Sequence, residues 1–158
     1  MASIRRADRP GDLGWIVMAH GEEYQRQFGW DTSFESLVAR VVADYDPSTG
    51  AAWIAETPAG DRAGCVMLVA TGEPGVAKLR VLLVTEAARG LGLGGKLVAQ
   101  CLAFAREAGC RRVDLWTVDE CTSARRIYEA HGFTRRSQEP HPGFGYPVTG
   151  ENWSLTLS

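Results

Sequence analysis

Runs and periodic spacings of apolar residues divide the chain into seven predicted strands and four predicted helices. Apolar positions recur at helical spacing from Leu13 to Tyr24, and again from Phe34 to Tyr45 after a capping box at residues 32–35. Shorter apolar runs between glycine, proline and aspartate residues predict strands. In chain order the predicted elements are a strand (4–7), two helices (13–24 and 34–45), three strands (52–56, 64–70 and one ending at residue 84), a helix (93–108), a strand (112–118), a helix (122–130) and two strands (134–137 and 152–157).

A glycine-rich stretch, Arg-Gly-Leu-Gly-Leu-Gly-Gly-Lys at residues 89–96, connects the strand ending at Val84 to the next helix. We call this stretch the glycine loop. Glycine lets the backbone approach a ligand closely, and the first N–H groups of a helix have no partner within the helix. Together with the helix dipole, these N–H groups favour an anion, most often a phosphate. The sequence therefore predicts that the chain is organised around an anion-binding turn.

Two nucleotide-binding motifs partly match the glycine loop. Gly90, Gly95 and Lys96 have the spacing of a Walker A loop, but Leu97 stands where that motif needs Ser or Thr to reach a metal. Gly90, Gly92 and Gly95 fit the dinucleotide fingerprint, although the first glycine does not follow the strand directly. The dinucleotide interpretation is weakened by this gap but stays open, as does a glycine-rich turn without a ligand.

Composition and charge narrow the classes of function. The 158 residues are 45% hydrophobic and 23% charged, so we expect one globular domain over residues 1–158. A net charge of -2, with scattered arginine pairs, gives no general basic field for nucleic acid. No apolar run reaches membrane-spanning length and the N-terminus lacks a signal sequence, so we expect a cytoplasmic protein that binds no membrane. The four cysteines lack metal or disulfide spacing, and Cys65 and Cys101 are expected to be core thiols.

Two motifs together resemble the GNAT superfamily of N-acetyltransferases. The pattern R-x-x-G-x-G at 89–94 resembles the acyl-CoA pyrophosphate loop of that family, and A-x-x-I-Y-x-x-x-G-F at 124–133 is similar to its second motif. The predicted order of elements matches the family throughout, so the resemblance covers nearly the whole chain. It implies an α/β (α+β) class, the GNAT acyl-CoA N-acyltransferase fold. In that fold a mixed, mostly antiparallel sheet of seven strands contains a splayed parallel pair and is flanked by four helices.

The resemblance implies acetyl-CoA as the acyl donor, without a metal. The pyrophosphate would lie on N–H groups of the glycine loop, and the pantetheine amides on the strand backbone where the parallel strands splay apart. A backbone N–H near Val84 would polarise the thioester carbonyl. Cys121 stands where the family commonly has Asn, so the hydroxyl of Ser123 or Thr122 would substitute for that contact. The expected cofactor-binding residues are Leu83, Val84, Arg89, Gly90, Leu91, Gly92, Leu93, Gly94, Gly95, Lys96, Cys121 and Ser123.

The resemblance also implies that a neutral primary amine, on a small molecule or a protein, attacks the thioester directly. Tyr128 would protonate or hydrogen-bond the departing thiolate, because a phenol with a pKa of about 10 keeps its proton at neutral pH. A core tyrosine without a catalytic role is the alternative. The general base stays open among the candidates His20, Glu22, Glu23, Glu86, His131 and His141.

The acceptor is expected to bind across the splay, between the two early helices and the loop before the last strand. Alternation puts Arg80 on the face opposite Leu79, Val81 and Leu83, where it either binds a substrate carboxylate or pairs with Asp114. The candidate substrate residues are Tyr24, Arg80 and Trp116, with Phe28, Trp30, Asp31, His141 and Phe144 around them.

Several interpretations of function remain open within this framework. In several short sequence segments, the chain most resembles GNAT domains fused to MarR-type regulators. A catalytically idle acyl-CoA-binding sensor or interaction module is the alternative to an enzyme, because it would keep the glycine loop without needing Tyr128. A nicotinamide enzyme is a third interpretation. An exposed strand edge can pair with a second copy, so a homodimer is also expected.

Overall fold

The computed structural model describes residues 2–157, which form a seven-stranded mixed sheet flanked by four α-helices. This architecture and its element order confirm the predicted fold class. The elements are β1 (Ser3–Arg6), α1 (Asp12–Phe28), α2 (Thr32–Ala43), β2 (Ala51–Glu56), β3 (Arg62–Ala70), β4 (Val76–Val84), a 3-10 helix (Glu86–Ala88), α3 (Leu93–Glu107), β5 (Arg112–Val118), α4 (Thr122–Ala130), β6 (Thr134–His141) and β7 (Val148–Thr156).

The strands lie in the order β1-β2-β3-β4-β5-β7-β6, and β4 and β5 are the parallel pair. They run parallel because α3 crosses over between them. Their pairing covers three residue pairs, from Val76 with Arg112 to Lys78 with Asp114. Beyond these pairs the two strands separate, as expected, and we call this opening the splay. The splay gives the middle of the sheet a free edge of backbone amides.

Each face of the sheet is covered by one pair of helices. α3 and α4 cover one face, where Leu97, Val98 and Cys101 are completely buried. α1 and α2 cover the other face, where Ile16 packs in a core with Cys65. Both Cys65 and Cys101 are core thiols, as predicted, and burial raises the pKa of each. No helix within residues 2–157 has the length and apolarity needed to cross a membrane.

A β-bulge in β4 changes which residues share a face. Val81 has a φ of 53°, and the register with β3 shifts between the pair of Arg80 with Met67 and the pair of Leu83 with Cys65. Leu79 belongs to the core under α3, as alternation predicts. Val81 and Leu83 pack instead in the core under α1, on the same face as Met67. The prediction that Arg80 lies opposite Val81 and Leu83 is therefore wrong, because the bulge inserts one residue.

Element ends differ modestly from the sequence predictions. α2 begins after Asp31, whose carboxylate accepts the N–H of Ser33 at 3.0 Å, so the capping residue is Asp31 and not Thr32. β6 and β7 are longer than predicted and form a hairpin around the Pro/Gly-rich loop at residues 142–147. The chain therefore returns close to α1 just before its last strand, where the Asp31 N–H donates to the Phe144 carbonyl at 2.8 Å.

Candidate active site

The glycine loop leaves backbone N–H groups free at the start of α3. Gly90 and Gly92 have φ angles of 86° and 71°, a left-handed conformation that suits glycine. Helix geometry leaves the first N–H groups, from Leu93 onward, without a partner inside α3. The N–H of Lys96, by contrast, donates to the Gly92 carbonyl at 3.2 Å. The predicted N–H cradle therefore ends before Lys96.

A groove of about 310 Å³ runs along the glycine loop and between β4 and α4. We call it the glycine-loop groove. Leu91 and Lys96 are not part of its lining, and the Leu91 side chain is 56% exposed. The remaining ten predicted cofactor-binding residues do line it, together with residues from α1 and α4. The full lining is Tyr24, Gln27, Phe28, Leu82, Leu83, Val84, Ala88, Arg89, Gly90, Gly92, Leu93, Gly94, Gly95, Cys121, Thr122, Ser123, Ala124 and Ile127.

The backbone of β4 presents alternate amides to the splay. The Thr85 N–H donates to the Ala63 carbonyl on β3 at 2.9 Å. Because amide directions alternate along a strand, the amide groups of Leu83 also face β3. Those of Leu82 and Val84 then face the open edge. Sequence reasoning named Leu83 and missed Leu82, because the bulge that sets this alternation leaves no sequence signal.

A second cavity, of about 110 Å³, lies in the splay between α1, α2, β4, β5 and α4. We call it the splay cavity. It shares Tyr24, Leu82, Cys121 and Ala124 with the glycine-loop groove, so the two spaces meet at these residues. Its other lining residues are His20, Trp30, Phe34, Leu37, Val38, Val41, Lys78, Leu79, Arg80, Val81, Trp116, Thr117, Val118 and Tyr128.

Tyr128 extends from α4 to the splay cavity. Its side chain is 5% exposed and packs near Phe133 and Trp153, with ring centroids 5.8 and 6.5 Å away. Burial raises the pKa of Tyr128 well above the ordinary value, so the hydroxyl is protonated at neutral pH. Tyr128 can therefore donate a hydrogen bond at the wall of the cavity.

Cys121 lies where the groove and the splay cavity meet. Burial raises the pKa of its thiol to about 11, although a hydrogen bond with Thr117 opposes this shift. The thiol is thus protonated at neutral pH. Thr122 and Ser123, the predicted hydroxyl substitutes, both line the glycine-loop groove. The position that departs from the family pattern therefore has polar neighbours on the groove side.

Of the six base candidates, His20 reaches the splay cavity among the residues described. Its Nδ1 lies 2.7 Å from the Ile16 carbonyl, and its Nε2 is buried without a hydrogen-bond partner in residues 2–157. Burial lowers the pKa of His20 to about 4, which makes the ring neutral at pH 7. The other candidates lie outside this lining, and Glu23 is occupied by Arg26 at 2.8 Å and by the Glu86 N–H at 3.3 Å.

Some of the predicted acceptor residues line the splay cavity, and others pack behind the residues that line it. Tyr24, Arg80 and Trp116 line the splay cavity, together with Trp30. Phe28 lines the glycine-loop groove instead. Three other candidates have supporting contacts: Asp31 caps α2, Phe144 packs against Trp30 with a centroid distance of 4.8 Å, and His141 packs against Trp116 at 5.1 Å. The loop before β7 therefore supports the cavity from behind rather than lining it.

Arg80 has no ion pair within residues 2–157. Asp114, its predicted alternative partner, is taken by Arg112, with contacts of 2.9 Å from Nε to Oδ1 and 3.2 Å from Nη2 to Oδ2. The alternative pair with Asp114 is therefore not formed, and binding of a substrate carboxylate by Arg80 stays a prediction. Burial lowers the pKa of Arg80, and the negative charge of Asp44 only partly opposes this effect.

Comparisons with known proteins agree with this geometry. Residues 13–133 match the model of the acetyltransferase (GNAT) family. An uncharacterized N-acetyltransferase of Schizosaccharomyces pombe is 31% identical over 142 residues, covering 88% of this chain and 85% of that protein. A GNAT-family acetyltransferase from Staphylococcus aureus Mu50 superimposes with a TM-score of 0.82, covers both chains completely and is 18% identical.

Another relative, similar over a shorter segment, has a named activity. A mycothiol acetyltransferase of Geodermatophilus obscurus is 35% identical over 94 residues, which cover 60% of this chain. The matched segment spans only 28% of the length of that relative. The similarity therefore concerns one part of a longer enzyme.

Proposed function

Because the chain belongs to the acetyltransferase (GNAT) family, we propose that it is an N-acetyltransferase that transfers the acetyl group of acetyl-CoA to a primary amine. The observation behind this proposal is that the glycine-loop groove and the splay cavity meet. A groove with free helix N–H groups joins a cavity with a protonated tyrosine at one point of the splay, beside Cys121 and Leu82. An acyl donor and an acceptor need this kind of contact between separate sites.

The residues of the glycine-loop groove fit acetyl-CoA. The left-handed glycines and the first N–H groups of α3 offer donors to a pyrophosphate, where the helix dipole adds a favourable field. Arg89 adds a cation, and its Nη2 already donates to Gln27 Oε1 at 3.0 Å, which holds the side chain beside α1. Cys121 and Ser123 would line the path of the pantetheine arm. Acetyl-CoA would supply the activated thioester that the amine attacks.

The free edge of β4 would bind the acyl arm. The amides of Leu82 and Val84 would pair with the pantetheine, with Leu83 contributing its side chain to the groove wall. The Val84 N–H would donate to the thioester oxygen and stabilise the negative charge that develops there. Leu91 and Lys96, both exposed, would contribute at most at the mouth of the loop.

Tyr128 would protonate or hydrogen-bond the departing thiolate in this reaction. Its buried side chain lines the splay cavity, and its raised pKa keeps the hydroxyl protonated at neutral pH. His20 lines the same cavity, but its lowered pKa makes it a weak base, so the general base stays open. Tyr24, Arg80 and Trp116 would surround the acceptor.

The remaining sequence predictions extend this proposal. We expect residues 1–158 to act as one GNAT domain in the cytoplasm, without nucleic acid, membrane or metal. The similarity to GNAT domains fused to MarR-type regulators stays a prediction. So does the homodimer, for which β6 offers an edge strand whose residues are almost all exposed.

Acetyl transfer is tested by incubating the protein with acetyl-CoA and a panel of primary amines, while thiol release is followed. We expect thiol release that depends on the amine, with an acetylated amine as the second product by mass spectrometry. Binding of acetyl-CoA without turnover on any amine would instead support the acyl-CoA-binding module. Binding of NADH in place of acetyl-CoA would contradict the proposal and favour the dinucleotide interpretation.

A further inference from the structure

Two cations of β4, Lys78 and Arg80, lie half-buried on the acceptor side, and neither is in a salt bridge among the residues described. Lys78 and Arg80 are two residues apart, so they point to the same face of the sheet. Their register partners on β3 are Val69 and Met67, which are apolar. Neither cation has a salt bridge to any residue between 2 and 157. A strand that packs against a core would normally carry apolar residues at such positions.

The nearby acid is already neutralised. Asp114 lies opposite Lys78 in the parallel register, but its two oxygens bind Arg112. Arg112 also contacts Glu73 at 3.3 Å, and Arg111 binds the same carboxylate. These contacts pair the acids of this region with arginines other than Arg80. Asp114 and Asp44 therefore act on Lys78 and Arg80 only through longer-range attraction, without a direct ion pair.

The two cations stand between two spaces. Both line the splay cavity, and both line an open groove of about 640 Å³ across β3, β4, β5 and β7. We call this second space the basic groove, since Arg112 and Arg136 also line it and Asp114 is its acid. An acceptor that enters the splay cavity from the basic groove must pass Lys78 and Arg80.

Holding both charges here is costly for the protein alone. Burial lowers the pKa of Lys78 and of Arg80, and the Arg80 charge lowers that of Lys78 further, while the charges of Asp114 and Asp44 oppose these shifts only in part. A bound anion would relieve both the desolvation and the mutual repulsion. Arg offers a planar fork for a carboxylate or a phosphate, and Lys adds a point charge.

We propose that the acceptor is a primary amine that also carries an anionic group, a carboxylate or a phosphate, which Lys78 and Arg80 bind while the amine extends toward the splay. This inference rests on the proposed acetyltransferase function. The backbone rises about 3.3 Å per residue, so Arg80 and Val84 are at most about 13 Å apart along β4. This span sets the scale of the separation between the amine and the anionic group, to which the reach of the Arg80 side chain adds.

Matched pairs of acceptors test the proposal through kcat/KM. Butylamine is compared with 4-aminobutyrate and with 3-aminopropyl phosphate, and hexylamine with 6-aminohexanoate, each with saturating acetyl-CoA. We expect the anionic acceptors to be preferred about 10- to 100-fold, the size of one or two charge-assisted hydrogen bonds. Comparison of the carboxylate acceptors with the phosphate acceptor shows which of the two anionic groups the site prefers. Equal kcat/KM for neutral and anionic members would overturn the proposal, while turnover of either would leave acetyl transfer intact.

Variants assign the preference to the two cations. Arg80→Gln and Lys78→Gln should each lower the ratio of anionic to neutral kcat/KM several-fold. The matched control is Arg136→Gln, which removes an exposed cation of the basic groove outside the splay cavity and should keep the ratio. An equal loss in the control would show a general field of the groove and contradict the assignment to Lys78 and Arg80.

A binding measurement keeps the test independent of turnover. The protein loaded with CoA is titrated calorimetrically with 6-aminohexanoate and with hexylamine, at low and high salt. Tighter binding of 6-aminohexanoate that weakens in Arg80→Gln and at high salt supports the anion site. No difference between the two ligands, including no binding of either, overturns it. If 6-aminohexanoate binds more tightly than hexylamine but neither is acetylated, the anion site is supported and the proposed acetyl transfer is contradicted.

Discussion

The glycine-loop groove and the splay cavity meet in the splay, but the chain builds them in different ways. The groove takes most of its lining from two short segments, residues 82–95 and 121–127. The splay cavity draws on α1, α2, β4, β5 and α4, from His20 to Tyr128. The groove offers backbone donors fixed by local conformation, whereas the cavity offers side chains that depend on tertiary packing. A cofactor site can therefore be encoded locally, while an acceptor site depends on how distant elements pack.

This contrast predicts that the groove is sensitive to side-chain volume at one glycine. A Cβ on Gly94 would lie 2.6 Å from Ile127 Cδ1, at the wall of the groove. We expect Gly94→Leu to weaken acetyl-CoA binding by about 3 kcal/mol, roughly 150-fold, because the added volume cannot be accommodated without displacing α4 or the ligand. Isothermal titration calorimetry with acetyl-CoA measures this loss.

The matched control is Gly14→Leu, at a glycine in the first turn of α1 that has no atom within 4 Å of an added Cβ. It should bind acetyl-CoA as the unaltered protein does. Equal binding by Gly94→Leu would show that the cofactor lies elsewhere.

Tyr128 tests the point where the two spaces meet. We expect Tyr128→Phe to lower kcat about 100-fold, because it removes the protonated hydroxyl and keeps the ring that packs on Phe133. The KM for acetyl-CoA should change little, which separates a chemical role from a binding role. Steady-state kinetics measure both constants. Tyr45→Phe, at a partly buried tyrosine that follows α2 and lines neither the groove nor the splay cavity, is the control. Unchanged kcat in Tyr128→Phe would assign Tyr128 to the core.

The pKa of His20 tests whether water is excluded from this part of the splay cavity. The pKa of His20 is lowered from 6.5 to about 4, so the unfolded chain binds more protons than the folded one between these values. Stability is therefore retained above pH 6.5 and lost as the pH falls toward 4. We expect a loss of about 2 kcal/mol from this group between pH 8 and pH 5.

Chemical denaturation of the protein and of His20→Phe at both pH values measures the difference. The variant should lose less stability on acidification, since it has no imidazole to charge. The pKa of Asp12, which binds Arg5 and Arg62, is also lowered, but its contribution is lost only below about pH 4. Equal acid sensitivity of the two proteins would mean that water reaches His20.

The smallest predicted effect concerns the loop behind the splay cavity. The Tyr146 hydroxyl lies 2.8 and 2.9 Å from the two carboxylate oxygens of Glu120, and it accepts the Trp30 indole N–H at 3.1 Å. We expect Glu120→Gln to cost about 1 kcal/mol of stability and to raise the KM of the amine, with acetyl-CoA binding unchanged. Thermal unfolding and kinetics test both, with the exposed Glu107→Gln as control. A rise in the KM for acetyl-CoA would contradict the independence of the glycine-loop groove from the splay cavity.

The same contrast explains what the sequence could predict. Element order and the parallel pair followed from periodicity and from the crossover at α3, and the strand at Arg112–Val118 and the helix at Thr122–Ala130 were predicted with their observed bounds. The glycine loop was recognisable because its requirement is a local backbone conformation. Tyr24 and Trp116 could be named as wall residues only through the expected fold.

Other parts of the site were out of reach of sequence reasoning. The bulge at Val81 arises from pairing with β3, so neither the Leu82 amide nor the true face of Val81 could be read from alternation. Lys78 was missed because a lysine in a strand is usually solvated. Arg80 lacks an ion pair because Asp114 binds Arg112, which lies two residues away on β5, instead of Arg80 on β4.

The account depends most directly on the ligand of the glycine-loop groove. Thermal unfolding is measured with acetyl-CoA, CoA, NADH and ATP at equal concentrations, for the protein and for Gly94→Leu. At 100 times the dissociation constant a specific ligand adds about 2.7 kcal/mol of stability. We predict stabilisation by acetyl-CoA and CoA alone, and its loss in Gly94→Leu. Stabilisation by NADH or ATP without CoA would contradict the acetyltransferase function.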